Sequence, residues 1–80
     1  MVTVYTKPAC VQCKATYRAL DKKGIPYESL DISQDVEALE ALKSLGFQQA
    51  PVVKSPIGSW SGFNSDKIDE LAEFYENAVG

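Results

Sequence analysis

The 80-residue sequence contains no histidine, a single tryptophan, a single methionine and only two cysteines. Without histidine, the chain lacks the side chain that most often serves as general base or metal ligand near neutral pH. Two cysteines cannot build the dense disulfide framework of a small secreted scaffold. They also fall short of the roughly four ligands that a structural zinc site takes. A metal or iron–sulfur site could form only between two chains, and no metal is expected.

Long apolar runs are missing as well. Nothing approaches the ~20 residues that cross a bilayer, and no basic start leads into an apolar stretch with a small-residue cleavage site. No membrane association is expected, and the default compartment is the cytoplasm. Thiols stay reduced there, so a close cysteine pair serves catalysis or metal binding more often than architecture. Positive charge is scarce too: eight Lys and Arg face eleven Asp and Glu, for a net charge of −3. Nucleic acid usually requires a clustered basic face, so no nucleic-acid partner is expected. Internal repeats, linkers and low-complexity segments are also absent.

What remains is 45% hydrophobic and 24% charged, the composition of one globular domain over residues 1–80. Its charges are unevenly placed. Acids crowd the last third (Asp66, Asp69, Glu70, Glu73, Glu76), whereas basic residues come early at Lys7, Lys14, Arg18, Lys22 and Lys23. Positive charge thus gathers around the cysteines, unless these residues form only an ordinary solvated helix face.

Patterning predicts seven elements. "MVTVYT" alternates and is rich in strand formers, so it reads as a first strand, broken by "KPA". From Val11 to Lys23, Cys13, Tyr17 and Leu20 recur at helical spacing and Gly24 supplies a stop. "IPYESLDI" reads as a second strand, with Ser33 offered as N-cap of a helix whose face is Val36, Leu39, Leu42 and Leu45 and whose end is Gly46. "APVVK" and "GSWSGF" flank "SPIG" as an antiparallel hairpin. Asn64 or Ser65 can cap a last helix that buries Ile68, Leu71, Ala72, Tyr75 and Val79. The order β-α-β-α-β-β-α predicts an α/β fold, a four-stranded mixed sheet with three helices.

The stretch "TKPACVQCK" holds both cysteines, Cys10 and Cys13. As a staple the pair would achieve little: closing a loop of about four residues yields roughly 2 kcal/mol before strain, against ~3 for fifteen residues. As a redox couple it is well placed. Cys10 stands at the predicted helix start, where free N–H groups and the positive dipole end stabilise a thiolate, and Cys13 lies one turn further in. Lowering a thiol pKa from ~8.5 to ~7 raises the thiolate fraction at pH 7 about sixteenfold. Reduced intrinsic nucleophilicity cuts the gain in attack rate to about threefold. The larger benefit is that a low-pKa sulfur leaves easily when Cys13 attacks the mixed disulfide.

Two further stretches bear on this site. In "QAPVV", Pro51 after Ala50 starts a strand. A cis Ala50–Pro51 bond would expose backbone groups of Ala50 to an extended peptide, but the isomer is open at this level. In "WSGF", Trp60 either covers core or, if exposed, anchors a partner. Phe63 is expected in the core, and Gly62 marks a special backbone angle or a close approach.

Together "YTKPACVQCKAT", "LDIS", "QAPVV" and "WSGF", in this order and spacing, resemble the NrdH-redoxins of the thioredoxin-fold superfamily. The resemblance implies a glutaredoxin-sized dithiol redoxin with Cys10 as attacking and Cys13 as resolving cysteine, and with Pro51 in the cis form. Lys7, Val11, Gln12, Ala50, Trp60, Ser61 and Gly62 would border the partner-docking surface. It further implies a monomer that binds no cofactor itself. Electrons would come from NADPH through the flavin-containing thioredoxin reductase and pass to class Ib ribonucleotide reductase. Where that family continues WSGF with Arg-Pro-Asp, this chain has Asn64 and Ser65 before Asp66. A glutathione-dependent glutaredoxin or a general protein disulfide reductase is the nearest alternative, although the family's Gly-Gly and acidic pair are not evident at "SGFNSD". A thiol-switch regulator of the Spx kind shares the Pro-x-Cys-x-x-Cys turn but carries an inserted helical domain.

Overall fold

The computed structural model describes residues 2–47 and 49–79, and the side chains of 2–47 and 49–76. The elements follow in the predicted order: β1 (Val2–Thr6), α1 (Val11–Lys22), β2 (Tyr27–Asp31), α2 (Val36–Ser44), β3 (Val52–Ser55), β4 (Gly58–Ser61) and α3 (Ser65–Val79). The strands form one mixed sheet in the order β2-β1-β3-β4, with β1 parallel to β2 and antiparallel to β3. β3 and β4 make the expected hairpin, pairing Val52 with Ser61 and Val53 with Trp60. β1, one of the two inner strands of the sheet, delivers the chain directly to the cysteines.

Alternation along β1 splits the core into two layers. Val2 and Val4 join Val53, Trp60, Leu20, Ile25, Ile68 and Leu71, so α1 and α3 pack on one face. Tyr5 and Val52 point the other way, against Ala38 and Leu42 of α2. Period-two side chains on a strand require this division. Complete burial of a Val, Leu or Ile side chain contributes about 1.5–3 kcal/mol, and Val2, Val4, Leu20, Val52, Val53 and Leu71 all reach 0% exposure.

Helix ends are set by identifiable groups. After α1, Gly24 at φ +70 donates to Asp21 O and Ile25 donates to Leu20 O; after α2, Gly46 at φ +86 donates to Lys43 O and Phe47 to Leu42 O. Both are Schellman motifs, which need a left-handed residue and therefore favour glycine. Asn64 caps α3, its Oδ1 accepting the Lys67 N–H at 3.1 Å.

Several local expectations are corrected. Asp35, not Ser33, caps α2, accepting the Ala38 N–H at 3.1 Å. Ser33 is held in a turn, where its N–H and hydroxyl both donate to Asp31 Oδ1. The buried face of α2 is Ala38 and Leu42, while Val36 and Leu45 are 69% and 51% exposed. The cap lies two residues later than expected, and the stripe that meets Tyr5 and Val52 of the sheet is Ala38 and Leu42. In α1 Thr16 is fully buried alongside Leu20, its hydroxyl satisfied by donating to Gln12 O at 2.9 Å, whereas Tyr17 packs on the core only partly buried. Tyr17 instead stacks on Tyr27, with ring centroids 5.4 Å apart. Burial, and next the neighbouring Asp21 carboxylate, push the Tyr27 phenol pKa up. Met1 in the first strand and Val79 in the α3 face lie outside the residues whose side chains are described.

Candidate active site

At the C-terminal end of β1, Lys7, Pro8 and Ala9 form an exposed turn that leads into α1. Ala9 adopts φ +56, a left-handed conformation that an alanine rarely takes, and nothing in its residue type announces it. Cys10 then takes extended angles and becomes the N-cap of α1. Its Sγ accepts the Cys13 N–H at 3.1 Å, filling the place usually taken by a Ser or Asp oxygen. Cys10 and Cys13 are joined as a disulfide, with Cα atoms 5.2 Å apart. Cys10 is 8% exposed and Cys13 2%, so both are buried, Cys13 more completely.

Around Cys10 opens a shallow groove of about 440 Å³, lined by Lys7, Ala9, Cys10, Val11, Gln12, Gln49 and Ala50. Five of these, Lys7, Cys10, Val11, Gln12 and Ala50, come from the expected site residues, whereas Ala9 and Gln49 were not singled out. Val11 projects from the helix start at 81% exposure. The Ala50–Pro51 bond is cis, and Pro51 is fully buried.

The WSGF segment is tied to this groove through backbone groups. Gly62 donates to Pro51 O at 2.7 Å, and Phe63 donates to Gln12 Oε1 at 3.2 Å. Gly62 itself stands at φ +78, and a Cβ placed there would sit 3.2 Å from the same Gln12 Oε1. Both readings of this glycine, special angle and close approach, therefore hold. Ser61 is exposed beside it.

Trp60 departs from the expected docking surface. It is 7% exposed within the α1/α3 core layer, because Val53 and Trp60 are register partners facing those helices. Its ring is core, and its Nε1 has no hydrogen-bond partner among the described residues. Phe63, expected in the core, is 44% exposed instead. A bend at Gly62, with φ +78, separates the buried ring from the exposed one.

Among the described residues no group of three or more His, Cys, Asp or Glu is arranged to hold a metal ion, and no helix is long and apolar enough to cross a membrane. The chemistry on offer is that of two adjoining thiols, one lining the groove and one more completely buried.

Residues 2–55 match the Glutaredoxin family. Over 70 residues the chain is 46% identical to the glutaredoxin-like protein NrdH of Escherichia coli K12, covering 88% of this chain and 86% of that one. This chain belongs to the NrdH-redoxins of the glutaredoxin family. The NrdH of Lactococcus lactis subsp. lactis is 35% identical over 72 residues, covering 90% of this chain and all of that one. The solved E. coli NrdH-redoxin, described by its thioredoxin-like activity profile, superposes with a TM-score of 0.84 at 46% identity over 88% of this chain and 92% of that one. A glutaredoxin from Archaeoglobus fulgidus is more distant, at TM-score 0.72 and 26% identity over 88% and 83% of the two chains. As an NrdH-redoxin with a Cys-x-x-Cys pair at a helix start, the protein is a thiol-disulfide oxidoreductase on a thioredoxin fold.

Proposed function

We propose that this redoxin is reduced by thioredoxin reductase and passes its electrons to class Ib ribonucleotide reductase. The observation that supports the division of labour most directly is the N-cap position of Cys10, whose sulfur accepts a backbone N–H while Cys13 lies behind it. In the reduced form Cys10 is the nucleophile. Its thiolate attacks one sulfur of the partner's disulfide, forming a mixed disulfide and expelling the partner's other thiolate, which takes up a proton. Cys13, deprotonated, then attacks Cys10 Sγ and the partner's remaining thiolate leaves and is protonated. Two electrons and two protons move to the partner, and Cys10–Cys13 is left oxidised.

The electrons return from NADPH through the reductase's flavin by the same exchange in reverse. Lys7, Val11, Gln12, Ala50, Pro51, Ser61 and Gly62 border the docking surface in this reading, while Trp60 belongs to the core. The chain acts as one monomeric module over residues 1–80, without a cofactor of its own, in the reducing cytoplasm.

The decisive experiment compares two electron sources. With NADPH and thioredoxin reductase, reduction of the oxidised protein should run at least tenfold faster than with glutathione and glutathione reductase at matched NADPH. Efficient glutathione turnover without reductase turnover would transfer the protein to the glutathione-dependent glutaredoxins.

A further inference from the structure

Resting on the redox reading above, we propose that the exposed row Lys14, Arg18 and Lys22 of α1, headed by Val11, docks an extended acidic segment flanking the disulfide of the protein partner. An α-helix turns about 100° per residue, so residues four apart drift only about 40°, and the three cations stay within about 80° of one another. Val11 falls inside the same sector, directly after Cys10. All four side chains are exposed. The opposite side of α1 buries Cys13, Thr16 and Leu20, and Lys23 turns toward α3, pairing with Asp69 at 3.1 Å.

Among the described residues these charges have no ion-pair partner. Two ion pairs form among the described residues, Lys23–Asp69 and Lys67–Glu70, and neither uses the row. Asp21, the acid of this helix, lies against the Tyr27 phenol. Like charges at i,i+4 disfavour a helix, and a lysine near the N-terminus opposes the macrodipole. The first turn of α1 carries no acid to offset it. Lys22, in the last turn, suits the macrodipole, but helix stability explains neither Lys14 nor the like-charged i,i+4 spacing, which stand out in a chain of net charge −3.

Its geometry selects the occupant. Successive cations are about 6 Å apart along the axis at 1.5 Å per residue. Alternate side chains of an extended peptide are about 6.6 Å apart, so acids at every second position match the row. An extended segment is also the slimmest that can reach Cys10, which lines a shallow groove and is only 8% exposed. An apolar residue on Val11 followed by alternating acids fits the surface, and the charge complementarity raises the encounter rate.

The test uses three synthetic peptides sharing one intramolecular disulfide, followed by an apolar residue and three Ser-Glu, Ser-Gln or Ser-Lys repeats. The rate at which reduced protein opens each disulfide is measured at low salt and at 0.5 M NaCl. At low salt the Glu peptide should react about tenfold faster than the Gln peptide and the Lys peptide more slowly than both. In the triple variant Lys14→Gln, Arg18→Gln, Lys22→Gln, and at high salt, the Glu-to-Gln ratio should fall below about twofold. A ratio near one in the natural protein, or a tenfold ratio persisting in a variant that melts normally, would overturn the docking surface. A second readout is independent of redox chemistry. A thiol-free Glu peptide with Ser in place of Cys, titrated into the oxidised protein, should shift the amide resonances of residues 11–22 selectively. If no peptide disulfide is reduced, the redox reading fails, and this titration alone supports or overturns the docking surface.

Discussion

Gln12 Oε1 accepts the Phe63 N–H at 3.2 Å, across 51 residues of sequence. One amide from the spacer between the cysteines thus holds the segment that follows β4. Gly62 donates to Pro51 O from the adjacent position, so the cysteine turn, the proline turn and the WSGF segment form one hydrogen-bonded rim.

Replacing Gly62 by alanine tests this rim. The Cβ would meet Gln12 Oε1 at 3.2 Å on a backbone with φ +78, so the flexible amide must give by a few tenths of an ångström, enough to break its own 3.2 Å hydrogen bond from Phe63. Left-handed strain of about 1–2 kcal/mol and a lost hydrogen bond of about 1 kcal/mol should add. Gly24→Ala is the control, since it carries the strain at φ +70 with nothing within 4 Å. Thermal melts should show Gly62→Ala lower by roughly 4–8 °C, about 1 kcal/mol for a chain of this size. In a double-mutant cycle, Gln12→Ala should cost less in the Gly62→Ala background than alone. Strict additivity would show that the contact carries no weight.

Cysteine roles are separable by trapping. With a disulfide partner, Cys13→Ser should accumulate a mixed disulfide through Cys10, and Cys10→Ser should trap almost nothing. In the reduced protein, iodoacetamide should modify Cys10 first, because Cys13 is 2% exposed. Peptide mapping by mass spectrometry reads both results, and preferential alkylation of Cys13 would reverse the assignment.

Trp60 is the single tryptophan, which makes its burial directly observable. Its emission should be blue-shifted from that of free indole in water and resist iodide quenching, and both properties should vanish on unfolding. Trp60→Phe should destabilise the protein by less than the 3–5 kcal/mol of a truncation to alanine, since it also removes the indole N–H that has no partner among the described residues.

Tyr27 supplies a pH dependence at the alkaline end. Burial chiefly, and the Asp21 carboxylate next, favour the neutral phenol and raise its pKa in the folded state. The associated stability is fully present below the unfolded tyrosine value of about 10 and is lost as pH rises through the folded value. Tyr27→Phe should flatten this decline, and phenolate absorbance should show one fewer late-titrating tyrosine. An unchanged alkaline profile would count against the environment described for Tyr27.

Much of the molecule was legible because its signals are local. Gly24 and Gly46 stop helices through contacts within six residues, Asn64 caps α3 through Lys67, and the hairpin turn lies between its own strands. Competing local signals were harder to rank. Ser33 and Asp35 are both good caps, and the decision depends on where α2 meets the sheet, which also turns Val36 and Leu45 outward. Trp60 took the core side of its two readings and Phe63 turned outward, because apolar character does not reveal which side of a turn faces the core. Ala9, with φ +56, carried no residue-type signal at all.

By itself, the sequence determined the element order and the nature of the chemistry, because secondary-structure signals act over a few residues and a chain without histidine or further cysteines leaves one dithiol pair to react. Tertiary structure alone decided which groups surround that pair. The Gln12–Phe63 and Gly62–Pro51 bonds, the cis Ala50–Pro51 peptide and the burial of Trp60 depend on packing between segments far apart in the chain, where each contact exists only once the sheet and both helical layers have been assembled.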